Sequence, residues 1–478
     1  MFSREMFANR VKLDNPWWED GQVAMEFHGT RPRLFLDEFY RYVNIEGLRR
    51  AIVLMGPRRV GKTWLIQHAI DRLLAEGVVP ASHIFFLPID VPVYHGCDLE
   101  EILHETCQIS EVNCRKDRLF VFFDEIQYAK GWETSLKTLS DSYPNIRFVA
   151  SGSAASVLVR GTMESGAGRF TNLNLSPLSF GEYVYLCRKE SEFGTATLET
   201  ASVGRVEVPQ VDSLERVNAL FLDYINFGGY PELVLNDVVR GNPRQFIQRD
   251  IVDKVLLRDL PSLYHVDDVR DLEAFFSYLA FHSGMVQSYE TLSQGSGLSK
   301  HTILNFLRYL EDAFLVVKHN RIDINSLTLR RATQFKIYLT NTSLRASMFQ
   351  PVFKADDPYL GYVVETAIAA QFGIGDEMRG WRYANWKNGK TQGEIDFVRI
   401  ASGTQRPDAA FEVKWSDGPF DHPAELREAT SFMKRNGLKT LFVTSRTQQG
   451  VRLLGEVELV FIPTALFAYQ LGIKGFMK

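Results

Sequence analysis

No apolar run in this 478-residue sequence approaches the roughly 20 residues that a membrane-crossing helix needs, so no membrane-spanning segment is expected. The opening residues, Met1 to Phe7, have no signal-peptide apolar core, and a cytoplasmic protein is the expectation. Cysteine is scarce: Cys97, Cys107, Cys114 and Cys187 show no C-x-x-C spacing. That argues against a zinc site or a disulfide framework and for free thiols in a reducing compartment. The histidines contain no H-x-x-x-H pair, and no G-x-S-x-G elbow occurs. Their absence removes a helix-borne histidine metal site and an obvious serine-hydrolase nucleophile. Positive charge is not in excess either. The formal net charge is −4, so any nucleic-acid contact has to use a local patch.

What is present is a packed, modular chain. A hydrophobic fraction of 45% with 23% charged residues is ordinary for a globular protein, and the length exceeds what one core serves. The organising stretch runs from Ala51 to Thr63. Ile52-Val53-Leu54 predicts a buried parallel strand, Gly56-x4-Gly61-Lys62-Thr63 follows, and a helix begins at Trp64. This is a P-loop in its strand–loop–helix setting. Along Gly56, Pro57, Arg58, Arg59, Val60 and Gly61, backbone N–H groups can point at phosphate oxygens. Lys62 supplies charge to the β- and γ-phosphates of ATP, and Thr63 offers its hydroxyl to Mg²⁺.

Between Arg49 and about Leu178 strands alternate with helices, the pattern of a parallel sheet. Val121 to Glu125 reads as a strand ending in two acids. Asp124 is placed to hold the Mg²⁺ shell, and Glu125 to orient or deprotonate the attacking water, which points to hydrolysis. The strand ending at Ala150 leads into Ser151-Gly152-Ser153, where a hydroxyl can contact the γ-phosphate or the lytic water. Gly166-Ala-Gly-Arg169 puts a guanidinium after a glycine-rich turn. Arg169 is either an arginine finger for a neighbouring subunit's nucleotide or a surface salt-bridge residue.

These stretches resemble prokaryotic AAA-type ATPases that carry a C-terminal nuclease-like domain. The similarity extends to Phe123-Asp-Glu-Ile-Gln127 with Trp132-Glu133, to Pro177-Leu-Ser-Phe180 with Glu182, and to Phe227-Gly-Gly-Tyr-Pro-Glu232. The resemblance implies that Arg169 acts in trans in a homo-oligomer and that Gly228-Gly229-Tyr230-Pro231 belongs to a helical lid over the nucleotide. Arg258-Asp259 matches a further family pair to which no role attaches.

Tyr289 to Ser299 followed by a helix over Lys300–Ala313 and a strand over Phe314–Lys318 predicts a winged helix. Ile303, Leu304, Leu307 and Leu310 are expected to face inward, leaving Lys300, His301, Asn305 and Arg308 more exposed. Such a helix either enters a DNA groove or serves as a spacer or subunit contact. Further on, Gly393 to Val398 alternates, so Glu394 and Asp396 share a face. Phe411 to Trp415 does the same for Glu412 and Lys414. If the two strands pair antiparallel, Asp396, Glu412 and Lys414 converge, and Glu365 on a helix over Tyr362–Phe372 can complete the cluster. Asp396 and Glu412 would hold Mg²⁺ through hard oxygens, and Lys414 would orient water or stabilise charge on a phosphate.

The order helix Glu, strand Asp, strand Glu-x-Lys resembles the PD-(D/E)xK nuclease superfamily. Two outcomes stand: a nuclease acting on DNA, or a domain that binds nucleic acid or a protein partner without cutting. One departure is that Asn341-Thr-Ser343-Leu344 stands where the family has Asp-x-Gly-Leu. The expected architecture is therefore α/β and multidomain: an N-terminal extension (1–48), a P-loop AAA-type parallel-sheet core (49–205), a helical lid (206–265), a winged helix (266–335) and an α/β restriction-endonuclease-like domain (336–478). Across the end of the core segment and the start of the lid, the Ser-, Thr- and Gly-rich stretch Glu190–Pro209 is expected to be an insertion or loop.

Overall fold

The computed structural model describes residues 4–474 except 48, 95, 154–167, 267, 325–333, 354–356, 374–380, 389–390 and 402. The chain forms two compact units, Met1–Leu175 and Ser176–Lys478. The second takes in the segments expected as lid, winged helix and nuclease-like domain, together with the end of the expected core. Among the described residues no helix is long and apolar enough to cross a membrane.

The first unit is built on five parallel strands: β1 (Ala51–Met55), β2 (Ile84–Pro88), β3 (Leu119–Asp124), β4 (Ile146–Gly152) and β5 (Phe170–Asn174), in the order β2-β3-β4-β1-β5. Every residue of β1 and β3 is buried, which is why both read as unbroken apolar runs rather than as alternating strands. The strand order reverses beside β1, so a ligand crevice belongs at the carboxyl end of that strand. Helices Lys62–Ala75, Leu99–Ile109 and Trp132–Ser142 make the crossovers. The second starts at a capping box in which Asp98 and Glu101 satisfy each other's backbone.

β2 is an edge strand, and the N-terminal segment covers it. Trp17 and Trp18 both donate their indole N–H to Ile84 O, at 3.0 and 2.9 Å. Asn15 bonds the Phe86 N–H and carbonyl with one amide. The two tryptophans thus pack on this unit and blunt an edge that would otherwise offer free backbone groups.

One expectation about cysteine fails. Cys107 and Cys114 form a disulfide: the helix over Leu99–Ile109 ends just after Cys107, and the chain folds back within seven residues. Cys97 and Cys187 are free thiols.

The second unit carries a nine-stranded mixed sheet and a separate hairpin. The hairpin, β6 (Phe193–Thr200) with β7 (Gly204–Val211), pairs over its full length and forms where an insertion or loop was expected across Glu190–Pro209, in strands and not as a loop. Its tip is tied down by Glu458, which accepts from the Ala201 and Ser202 N–H groups at 2.8 and 2.7 Å. The large sheet comprises β8 (Val286–Ser288), β9 (Val316–Ile322), β10 (Gln334–Leu339), β11 (Trp381–Asn388), β12 (Thr391–Ile400), β13 (Pro407–Glu412), β14 (Thr440–Ser445), β15 (Gly450–Leu454) and β16 (Val457–Pro463). Its order is β15-β16-β14-β13-β12-β11-β9-β10-β8.

At one end of this sheet β8, β10 and β9 form an antiparallel trio beside helices Tyr289–Ser296 and Lys300–Asp312, capped by Ser288 and Ser299. In the second helix Ile303, Phe306, Leu307 and Leu310 are buried and Leu304 is 43% exposed. The inward face therefore follows i, i+3, i+4, i+7 from Ile303. Leu304, expected inside, lies one position off that stripe, and Phe306 takes its place. Lys300, His301 and Arg308 are exposed and Asn305 is half-buried.

Candidate functional site

Two clusters of chemistry-bearing side chains stand out, one in each unit. In the first, Gly56 to Gly61 link β1 to the helix Lys62–Ala75. Gly61, at φ 93°, occupies the left-handed region and turns the chain into that helix. Lys62 and Thr63 are the first helical residues, so both side chains stand at a helix N-terminus whose N–H groups and partial positive charge favour phosphate. Lys62 is buried, and its ammonium donates to Gly56 O and Pro57 O at 3.0 Å each. Arg59 adopts φ 63°, and Val60 is fully buried beneath the loop.

Asp124 ends β3 and is buried. The Thr63 hydroxyl donates to its Oδ2 at 2.6 Å, and the Ser151 hydroxyl donates to Oδ1. Burial and the neighbouring Glu125 charge push the Asp124 carboxyl up to about 6, against the hydrogen bonds from Ser151 and Thr63 and the charge of Lys62. Glu125 sits at φ 51°, a conformation a non-glycine residue holds only where its surroundings fix it. Those surroundings are visible. Its N–H donates to Ser151 Oγ at 3.3 Å, and its carboxylate accepts from Gln127 Nε2 and, at 3.4 Å, from Ser153 Oγ. Gln127 also donates to Ser153 Oγ at 3.2 Å, making it a positioning residue that had no expected role. Lys62, Thr63, Asp124, Glu125, Ser151 and Ser153 thus all lie at the carboxyl ends of β1, β3 and β4.

Arg169 does not join them. It precedes β5, whose first residue Phe170 pairs with Ala51 at the start of β1, so it stands at the amino end of the sheet. Its guanidinium pairs with Asp141, and the side chain is half-exposed. Gly166 and Ala167 lie outside the described residues.

In the second unit β12 and β13 pair antiparallel with Phe397 opposite Phe411, which brings Asp396 beside Glu412. Asp396 N–H donates to Glu412 Oε2 at 3.3 Å, and Val413 N–H donates to Asp396 Oδ2 at 2.9 Å. Lys414 Nζ lies 2.7 Å from Glu412 Oε1. Glu365, on the helix Leu360–Gln371, accepts from the Tyr338 hydroxyl at 2.5 Å. All four expected residues converge in this unit.

Lys336, on β10, was not expected there. Its ammonium lies 2.7 Å from Glu365, 2.6 Å from Glu394 and 3.2 Å from Asp396. The sequence signal was a lysine two residues from Tyr338 in an otherwise apolar strand; a lysine buried in such a strand has to be paired. Burial opposes its charge, but Glu365, Asp396 and Glu394 hold its pKa well above the ordinary lysine range. Asp396 is likewise held below the usual carboxylate range: burial works against its charge, and Lys336, Lys414 and the Val413 N–H outweigh it. Burial and then Asp396 push Glu365 up to about 8 and Glu412 up to about 7, against their lysine partners.

Asn341 accepts from the Ser343 N–H through its side-chain oxygen at 2.7 Å, closing a local turn into the helix Ser343–Met348. Among the described residues, no three acidic, histidine or cysteine side chains are arranged to hold a metal ion. Three carboxylates do converge on one cationic atom, the Lys336 ammonium, so the donor chemistry suits a hard cation. Arg258 and Asp259 end the π-helical turn Val255–Asp259.

Residues 48–184 match a family described as an AAA domain, and residues 218–354 match a domain of unknown function, DUF8612. The chain therefore contains an AAA-type P-loop domain. It is 26% identical over 303 residues to an uncharacterised protein of Haemophilus influenzae, covering 61% of this chain and 68% of that one. An uncharacterised protein of Methanocaldococcus jannaschii is 24% identical over 282 residues, covering 58% of each chain. Among solved structures, the Walker-type ATPase of Pyrococcus abyssi is similar at a TM-score of 0.40 and 13% identity, covering 66% of this chain and 98% of that chain.

Proposed function

We propose that the protein hydrolyses ATP at the P-loop site and that nucleotide state controls a nuclease-like, Mg²⁺-dependent site in the second unit that acts on DNA. The observation that carries the first half is the network joining Thr63, Asp124 and Ser151, with Glu125 held beside it. In this reading Lys62 and the loop N–H groups bind the phosphates, Thr63 and Asp124 hold the ATP-bound Mg²⁺, and Glu125 activates water. Arg169, at the far end of the sheet from these residues, serves a neighbouring copy in a homo-oligomer.

The second half rests on the convergence of Glu365, Asp396, Glu412 and Lys414. Asp396 and Glu412 would hold the metal, which when bound polarises a phosphoryl oxygen; Lys414 orients Glu412 and offers charge to a scissile phosphate. Lys300, His301 and Arg308, exposed on one helix, are the surface offered to DNA.

A second reading, a nucleotide-gated switch or scaffold that binds nucleic acid or a protein partner without cutting it, is favoured by Lys336, whose ammonium already lies among Glu365, Glu394 and Asp396. Phosphate release and strand cleavage measured together decide between the two, with Lys62→Ala and Asp396→Ala as controls. Cleavage lost in Asp396→Ala supports the nuclease; phosphate release with no cleavage under Mg²⁺ or Mn²⁺ supports the switch.

A further inference from the structure

In the acid cluster, the place a divalent cation would take is held by the chain itself. Glu365 comes from a helix, Glu394 and Asp396 from β12, and their oxygens lie 2.6 to 3.2 Å from one nitrogen, Lys336 Nζ. That side chain is only 2% exposed. Neighbouring oxygens of Asp396 and Glu412 are engaged as well. Asp396 Oδ2 accepts from Val413 N–H, Glu412 Oε2 from Asp396 N–H, and Glu412 Oε1 from Lys414. Carboxylates gathered around a single positive point are what Mg²⁺ or Mn²⁺ recruits, but here the positive point is tethered to β10. An ammonium and a dication cannot share it, because like charges about 3 Å apart in a buried site repel strongly.

We propose that Lys336 is an internal cation that closes the acid site, and that a divalent metal enters at Asp396 only by displacing it. The inference rests on the reading of this cluster as a metal site. The strand itself is pinned, with Lys336 paired to Val286 on β8 and His319 on β9. Displacement is therefore a swing of the four-carbon side chain and not a slip of β10. The Tyr383 ring, its centroid 5.6 Å from the ammonium, is an aromatic face against which the charge can rest.

The test is Mn²⁺ binding to the full chain without nucleotide, by calorimetry and by the Mn²⁺ electron paramagnetic resonance signal. Lys336→Met, which keeps the apolar stem and removes the charge, is expected to bind Mn²⁺ at least tenfold more tightly than the wild type. Adding Asp396→Asn to it is expected to abolish the gain. Lys336→Gln, which retains a hydrogen-bond donor for Glu365, is expected to move in the same direction and serves if the methionine variant fails to fold. Equal or weaker Mn²⁺ binding by the folded Lys336 variants, with wild-type binding that still depends on Asp396, overturns the proposal and leaves the metal reading standing. No Asp396-dependent Mn²⁺ binding in any of the proteins overturns both.

Discussion

The Thr63 hydroxyl donates to the Asp124 carboxylate at 2.6 Å, although the strands that present these residues are not neighbours. β4 lies between β1 and β3, and its Ser151 bonds the other oxygen of the same carboxylate. Asp124 is thus held from both sides, and in the proposed function it shares the ATP-bound Mg²⁺ with Thr63. Preorganisation of this kind spares reorganisation during the reaction.

Glu125 is held at this centre by Ser151, Ser153 and Gln127. Glu125→Gln is expected to retain ATP binding and to lose turnover by about 10²- to 10⁴-fold, the range for removing a general base. Gln127→Ala should lower turnover less and leave ATP affinity unchanged. Phosphate release and nucleotide titration check both; full turnover in Glu125→Gln removes it from the reaction.

Arg169 stands at the amino end of the sheet, paired with Asp141 on the surface. Exposed pairs are worth only about 0 to 1 kcal/mol, so the guanidinium is easily given up to a better partner. ATP turnover per chain is expected to rise with protein concentration, and Arg169→Ala to remove that rise while leaving ATP binding intact. Asp141→Ala, which frees the guanidinium, is expected to keep it. Equal turnover by Arg169→Ala and wild type at every concentration makes the pair structural.

The raised carboxyls of the second unit give stability a pH dependence of known sign. Glu365 at about 8 and Glu412 at about 7, against an ordinary 4.5, mean that the folded state binds more protons than the unfolded state across that window. Their contribution to stability therefore falls as pH rises from about 4.5 towards 8. The melting temperature is expected to decline between pH 6.5 and 8, above the range in which the buried His319 and His68 act in the opposite direction, and Glu365→Gln, permanently neutral, to flatten the decline. A slope unchanged by that substitution contradicts the assignment to Glu365.

Gly229 is a packing residue. A Cβ there would lie 1.7 Å from Asn341 Nδ2, and Asn341 is buried and committed to the Ser343 N–H. Gly229→Ala is expected to destabilise the fold by about 1 to 3 kcal/mol through overpacking, and Asn341→Ala in the same chain to recover part of the loss. Denaturant unfolding measures both.

The P-loop was legible because its parts are contiguous and each needs a particular residue. Asp396, Glu412 and Lys414 were legible because strand alternation fixes which side chains share a face once two strands pair. Lys336 was not, because it comes from a strand distant in sequence whose register with the rest only the folded sheet supplies. The hairpin β6–β7 was hidden by its Ser, Thr and Gly content, which resembles a loop by composition while alternating as a strand. The Cys107–Cys114 disulfide depends on how a helix ends, and no spacing rule reports that. Leu304 shows the limit of periodicity: adjacent apolar residues leave the stripe's phase ambiguous until Phe306 is seen to be buried.

In the proposed function, ATP at the P-loop controls chemistry at Asp396. The most direct measurement is Mg²⁺-dependent DNA strand cleavage by the full chain with and without ATP, beside Lys62→Ala and Asp396→Ala. The predicted result is wild-type cleavage whose rate changes on adding ATP, no response to ATP in Lys62→Ala, and no cleavage in Asp396→Ala. Cleavage that survives Asp396→Ala, or that is indifferent to ATP in the wild type, contradicts it.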